Sequence, residues 1–263
     1  QLFVLALPMI LSNITVPLLG LVDTAVIGHL EHAYFLGGST VGATIITCIT
    51  WLSGFLRMTT TGLAAQAYGQ KSEHSNLLVL VRGLLVALAI GLLFILIKTP
   101  YIDAALNLSG GSEKVQYYAR QYSEIRVWGL PAALANLVLL GWLLGNHKAK
   151  IVMWIIILTN IINLVLDIVF VLYFQWQIEG IAYATIIAEY SSVIFSLSYV
   201  SLQYKGRIVS SLHAIKYQLF EKLALTSYFK LNRDILIRTL CLQSCFIFIT
   251  FQGARLGDNV VAA

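Results

Sequence analysis

The stretch IVMWIIILTNIINLVLDIVFVLYF, residues 151–174, decides what kind of chain this is. Its 24 residues carry one formal charge, Asp167. As an α-helix it would rise about 36 Å, enough to cross roughly 30 Å of hydrocarbon. A strand reading fails, because the apolar run is too long and has no turn punctuation. Comparable runs cover about 2–29, interrupted by Pro8 and Pro17, then 35–68, 77–97, 118–144, 180–202 and 235–252. Residues 258–263 would open an eighth. The expected fold is all-α, a polytopic membrane helical bundle.

Composition agrees. Charged residues make up 11% of the 263, against about 25% in soluble domains. The apolar share is 59% and the mean hydropathy +0.82. Too few charges remain to coat a soluble surface of this size. That excludes an ordinary cytosolic enzyme, a disordered protein and a nucleic-acid partner, and makes the lipid bilayer the environment. The net charge of +5 reads as Lys/Arg excess on cytoplasmic loops.

The loops orient the bundle. Lys71, His74 and Arg82 follow the second run; His147, Lys148 and Lys150 follow the fourth. Lys205, Arg207, Lys216, Lys222, Lys230 and Arg233 follow the sixth. Residues 29–32 and 175–179 have no Lys or Arg, and 98–114 mixes signs. The even loops are therefore expected in the cytoplasm, with the N-terminus inside. Within 203–233, the run Leu212, Ile215, Leu219, Leu223 has the spacing of an amphipathic surface helix.

The expected organisation is a six-helix lobe over 1–203, a cytoplasmic linking loop over 204–233, and the start of a second, pseudo-symmetric lobe over 234–263. Sliding the chain by 229 residues lays Gly257 on Gly28, Ala254 on Ala25 and Gln252 on Asp23, a sparse sign of two parallel halves. The chain opens on Gln1 and stops in apolar text, so it reads as part of a longer protein. Cys48, Cys241 and Cys245 read as packing residues rather than a metal or disulfide set. Gly38/Gly42 and Gly141/Gly145 are GxxxG pairs, expected to pack helices within one chain; a monomer is expected.

Motifs for soluble chemistry are missing. There is no GxGxxG, HExxH, CxxC or GxSxG. Gly69-Gln70-Lys71-Ser72 lacks the Gly-Lys step of a phosphate-binding loop, and His29-x-x-His32 reads as exposed loop. No enzyme activity, cofactor or metal is expected. A transporter without a nucleotide motif would run on an ion gradient.

Intramembrane acids carry the remaining signal. Asp at a helix centre costs roughly 2.5–3.5 kcal/mol on insertion scales, so such residues face a cavity or partner. Asp23 shares a face with Asn13, Val16 and Gly20; Asp167 shares one with Asn163 and Asn160. The alternating topology puts Asp23 and Asp167 at similar depth in the outer leaflet. Tyr122, Glu124 and Arg126 of the fourth run, and Tyr183, Thr185 and Glu189 of the sixth, fall in the same layer. Scattered structural hydrogen bonds need not share a depth, whereas an outward-open aqueous cavity would. Arg57, Glu189 and Arg238 have no assigned role.

Three stretches together resemble a known family: LALPMILSNITVPLLGLVDTAVIGHL (5–30), RMTTTGLAAQAYGQK (57–71) and IRVWGLPAALANLVLLGWLLG (125–145). They resemble multidrug and toxic compound extrusion (MATE) transporters, specifically the DinF-like branch, and the resemblance covers essentially the whole chain. It implies the first six-helix lobe, the link and the start of the second lobe. It also implies a cation-coupling site at Asp23, Asn163, Asp167 and Thr185, with Tyr122 from the fourth helix, and a helix-bending proline at Pro8. The function it implies is secondary efflux of amphipathic or cationic compounds in exchange for protons, in a bacterial inner membrane. The coupling ion is H+, with Na+ the alternative, since carboxylates plus Asn and Thr oxygens also suit sodium. Asp23 and Asp167 would share one proton, because two carboxylates close together in low dielectric do not both ionise cheaply. A lipid-linked oligosaccharide flippase would instead need several cationic cavity groups.

Overall fold

The structure, a computed structural model, describes residues 33–109 and 112–204, with isolated positions at 233, 237, 238, 240 and 241. Pro8, Asp23, nearly all of the linking loop and most of the second-lobe segment lie outside the described residues.

Eight α-helices follow in order among the described residues: α1 (Ala33–Leu52), α2 (Phe55–Gly69), α3 (Glu73–Leu96), α4 (Lys98–Ser109), α5 (Glu113–Arg126), α6 (Leu130–Gly145), α7 (Ala149–Asp167) and α8 (Gln177–Gln203). Helices α1 and α2 form one span over Tyr34–Gly69, with a break at Ser53 and Gly54. A 3₁₀ turn, Val127–Gly129, joins α5 to α6, and a π turn, Ile168–Tyr173, prolongs α7. Five spans are long and apolar enough to cross a membrane: Tyr34–Gly69, Glu73–Leu96, Glu113–Gly145, Ala149–Tyr173 and Gln177–Gln203. They coincide with runs two to six.

The helices start earlier than hydropathy alone places them. Ser72 caps α3 by accepting from the Ser75 amide at 3.2 Å, and Glu73 occupies the first turn. Ser112 caps α5 in the same way through the Val115 amide, followed by Glu113. These polar first turns satisfy orphan amides and complement the helix dipole. The mixed-charge stretch read as a loop over 98–114 contains α4, fastened to α5 by the Arg120–Asp103 ion pair and to α1 by the Tyr101 hydroxyl, which donates to the Ile45 carbonyl at 2.8 Å.

The bundle has two distinct ends. At the lower end, α2 and α6 both stop in tight turns whose left-handed residues are Lys71 (φ 53°) and His147 (φ 59°). In each, a backbone amide reaches back across the helix end, Ser72 to Ala67 at 3.2 Å and Lys148 to Leu143 at 2.9 Å. The turns pack on each other: Tyr68 and His147 rings lie 5.2 Å apart, and Asn76 and Asn146 exchange amide hydrogen bonds. Trp142 Nε1 donates to the Asn76 carbonyl at 3.0 Å. Part of this junction, with the end of α8, lines a cavity of about 580 Å³. The positive-rich loops after α2 and α6 thus lie at one end of the bundle, as their charge requires. The upper end holds Tyr34, Phe35, Tyr118, Val171, Ile178 and Ile181.

The α5–α6 span is the core element. Its most apolar window is 72% buried, against 22–39% for the other four spans. The lower core gathers Leu56, Leu80, Leu134, Val138, Trp142, Val152 and Val200 from five helices. The two glycine pairs permit close approaches between helices. A Cβ at Gly42 would meet Tyr122 Cδ1 at 2.7 Å, and one at Gly145 would meet the Thr61 carbonyl at 2.6 Å. Both GxxxG pairs pack helices within the chain, as expected from sequence.

Candidate functional site

The residues to be placed are Asp23, Asp167, Asn163, Thr185, Tyr122 and Pro8. Asp167 ends α7 and is fully buried, at 0% exposure. Asn163, one turn below, is buried at 2%, and its Nδ2 has no hydrogen-bond partner among the described residues. Immediately above Asp167 the helix widens into the π turn. Such widened turns occur often at functional sites, because they shift the phase of the side chains around the axis. Ile168–Tyr173 is uniformly apolar apart from Tyr173, so nothing in its composition announces the change.

Tyr122 on α5 is buried and packs with Val171 and Ile181 in one cluster. Val171 lies one turn above Asp167, and Ile181 one turn above Thr185. Because α7 rises while α5 and α8 descend, the turn below this cluster contains Arg126, Asp167 and Thr185. Asp167, Thr185 and Tyr122 are therefore brought into adjoining layers of the upper half. Thr185 is half-buried, and its hydroxyl donates to the Ile181 carbonyl at 2.9 Å within α8. The lone pairs of that oxygen stay available to a cation or a proton donor. Glu124 and Tyr183, expected in the same layer, are exposed and point away from the cluster.

Sequence reasoning missed one connection. Arg126 and Glu189, 63 residues apart, form a two-pronged ion pair: Nη1 to Oε2 at 3.0 Å and Nη2 to Oε1 at 2.9 Å. Tyr122 lies one turn from Arg126 on the same helix, and both are buried. Asn136 Nδ2 donates to the Glu189 carbonyl at 2.9 Å, and the Tyr190 hydroxyl donates to the Trp128 carbonyl at 3.1 Å. Both charges lie well inside their spans: Arg126 about 20 Å along from Glu113 and Glu189 about 18 Å along from Gln177. The pair clamps the 3₁₀ turn to α8. The available sequence signal was that Arg126 and Glu189 are opposite charges at matching depth on helices both entering from the same side.

A second feature opens near the upper end. Phe170, Trp176, Glu179, Tyr183 and Ile187 line a cavity of about 490 Å³. Phe170 and Trp176 stack with ring centroids 5.0 Å apart, and Tyr183 meets Trp176 edge-on at 6.0 Å. Glu179 accepts a hydrogen bond from Gln121. Among the described residues no cluster of three or more His, Cys, Asp or Glu is placed to hold a metal ion.

Residues 8–169 match the MatE family. The chain belongs to that family. It is 49% identical over 262 residues to DNA damage-inducible protein F of Escherichia coli (strain K12), covering 98% of this chain and 56% of that protein. It is 26% identical over 273 residues to a probable multidrug resistance protein NorM of Acinetobacter baylyi, covering 100% of this chain and 59% of the relative. A crystal structure of MATE in the bent conformation superposes with a TM-score of 0.85 at 21% identity, over 98% of this chain and 57% of the other. This likeness shows a shared fold. The MatE chain described here spans little more than half the length of these relatives. As a member of a transporter family with at least five membrane-spanning helices, it is a multi-pass membrane protein.

Proposed function

We propose that this MatE chain forms the coupling lobe of a multidrug efflux antiporter, exporting amphipathic or cationic compounds in exchange for protons across a bacterial inner membrane. The observation that carries the reading is Asp167: a fully buried acid at the mouth of a π turn, in a span that crosses hydrocarbon. An ionisable residue there is costly to keep and is a functional group by default. Asp23 is its proposed partner, with Asn163, Thr185 and Tyr122 completing the polar shell. The upper end faces outside in this reading, because the Lys/Arg-rich loops lie at the lower end.

The cycle follows from the chemistry of the carboxylates. A proton from the outer aqueous phase neutralises the Asp23–Asp167 pair. Loss of charge lets the first helix bend at Pro8, where proline has removed a backbone hydrogen bond. Bending contracts the cavity and expels the substrate outward; release of the proton inside resets it. A structural relative has been solved in a bent conformation, which supports bending as a movement this fold permits. The aromatic cavity of Phe170, Trp176 and Tyr183, with Glu179 at its wall, suits organic cations through ring faces and negative charge.

A pyrophosphate-carrying lipid would need free cationic groups. The buried Arg126 is already neutralised by Glu189, which argues against a flippase. Dye efflux from vesicles, with a pH gradient and a sodium gradient imposed separately, tests the proposal. Efflux against the dye's gradient driven by the pH gradient alone supports it. Efflux driven only by sodium transfers the same site to sodium coupling, and dye movement only down its gradient makes the protein a channel.

A further inference from the structure

A buried ion pair is poor evidence for stability, because well-packed apolar residues of similar volume often do as well or better. Arg126 and Glu189 lie near the middle of their spans, where each charge is costly. The surroundings are built to keep them. Gly129 faces the pair so closely that a Cβ there would meet Glu189 Oε2 at 2.6 Å and Arg126 Nη1 at 2.7 Å. The Glu189 backbone is held by Asn136, and the Trp128 backbone by Tyr190. Tyr122 lies one turn from Arg126 on the same face of α5, in the layer directly above Asp167 and Thr185.

From this arrangement we infer that Arg126 and Glu189 are positioning residues of the coupling site: Arg126 orients the Tyr122 hydroxyl, and Glu189 cancels the charge that Arg126 would otherwise impose on Asp167. The inference rests on the coupling role proposed above for Asp167. A guanidinium can only donate, so with Arg126 one turn away the Tyr122 oxygen lone pair is the side that suits it and the hydroxyl proton is left to donate into the site. Two-pronged geometry engages both carboxylate oxygens of Glu189 with Arg126, which keeps Glu189 from acting as a competing proton acceptor.

The neighbouring ionisable groups include Arg57 and Tyr68 on α2, and Lys98, whose ammonium lies 5.5 Å over the Trp128 ring of the same 3₁₀ turn. Among the described residues, α6 has no ionisable side chain, and α1 contributes Tyr34 and Cys48. On α4, Asp103 is paired with Arg120. The ionisable residues of α3 are Glu73, His74 and Arg82, in its lower half. On α8, Glu179 is bonded to Gln121, Tyr183 is exposed, and Tyr190 bonds Trp128. Glu124 lies on the exposed face of α5, and Tyr173 is exposed above the site. By helix height, Asp167 at the end of α7 shares the turn that contains Arg126.

The test uses the natural full chain in vesicles, reading the pH at half-maximal proton-driven dye efflux together with membrane abundance. Glu189→Gln leaves an unbalanced cation, which favours the charged carboxylate and moves the midpoint to lower pH by roughly one unit. Arg126→Gln leaves an unbalanced anion and moves it to higher pH by a similar amount. The double variant restores the wild-type midpoint. Opposite shifts cancelling in the double variant support the inference; unshifted midpoints, or shifts of the same sign, overturn it. If a single variant fails to accumulate, the comparison moves to R126K, which keeps both the charge and a donor beside Tyr122. It is expected to keep the wild-type midpoint, and a displaced midpoint overturns the inference. Asp167→Asn run alongside separates the two ideas: if it transports with the wild-type pH profile, the coupling role of Asp167 is wrong, whatever the pair does.

Discussion

Replacing Asp167 with Asn separates a working acid from a structural one. The side chain has 0% exposure, so its environment is protein on every side. On insertion scales a charged Asp at a helix centre costs roughly 2.5–3.5 kcal/mol, and the amide removes most of that cost at nearly equal volume. Asn163, one turn away, has a buried Nδ2 with no hydrogen-bond partner among the described residues, a donor that suits the oxygen of the substituted amide. Stability should therefore hold or rise, by no more than about 3 kcal/mol. Transport should fall. A carrier that cannot bind the proton has no means of drawing on the gradient, and a tenfold loss corresponds to about 1.4 kcal/mol of lost driving interaction. The assay is proton-driven dye efflux from vesicles, beside a fluorescence melt of the same preparation. Asp23→Asn is expected to behave in the same way. Wild-type efflux at equal abundance would refute the mechanism, and a lower melting temperature with proportionate loss of protein would assign Asp167 to the scaffold.

Four further outcomes are expected. Cysteines placed at Glu31 and Gln177 should react with an impermeant thiol reagent from outside, and cysteines at Ser72 and Lys216 should not; the reverse pattern inverts the orientation. Pro8→Ala should straighten the first helix and impair efflux at normal abundance, with Pro17→Ala as the control, and full transport by Pro8→Ala would make the bend dispensable. Gly145→Val should lower the melting temperature, at a cost of about 1–3 kcal/mol, because even a Cβ there meets the Thr61 carbonyl at 2.6 Å and the Ala65 amide at 3.0 Å. Asn146→Leu leaves the buried Asn76 amide without its partner and should cost about 1–3 kcal/mol in the same melt.

The spans were legible because hydrocarbon imposes length and apolarity residue by residue, and five of the runs reappear as helices. What those runs conceal is everything settled by a partner. The first turns of α3 and α5 are polar because Ser72 and Ser112 cap them, so hydropathy began counting a turn late. Helix α4 carries Lys98 and Asp103 and shows no span signature, yet Tyr101 and Arg120 anchor it across the upper end. Depth was legible for Asp167 and Thr185, since alternating topology converts residue number into height. Direction around the axis was not: Glu124 and Tyr183 have the right height and face outward. The pairing of Arg126 with Glu189 needed both height and direction.

Those directions are set at two departures from α-helical geometry. Arg126 is the last residue of α5 before the tight 3₁₀ turn, and Asp167 is the last of α7 before the wide π turn. In hydrocarbon the backbone must satisfy its own hydrogen bonds, so irregular turns persist only where protein surrounds them or where they line a cavity. Here both flank one buried cluster, Tyr122 with Val171 and Ile181. A tighter turn and a wider turn rotate the side chains beyond them in opposite senses relative to a regular helix. The two buried ionisable groups are thus placed where a span can change phase without losing its ladder. In the proposed cycle, these two turns are the points at which the lobe can flex when Asp167 gains or loses its proton.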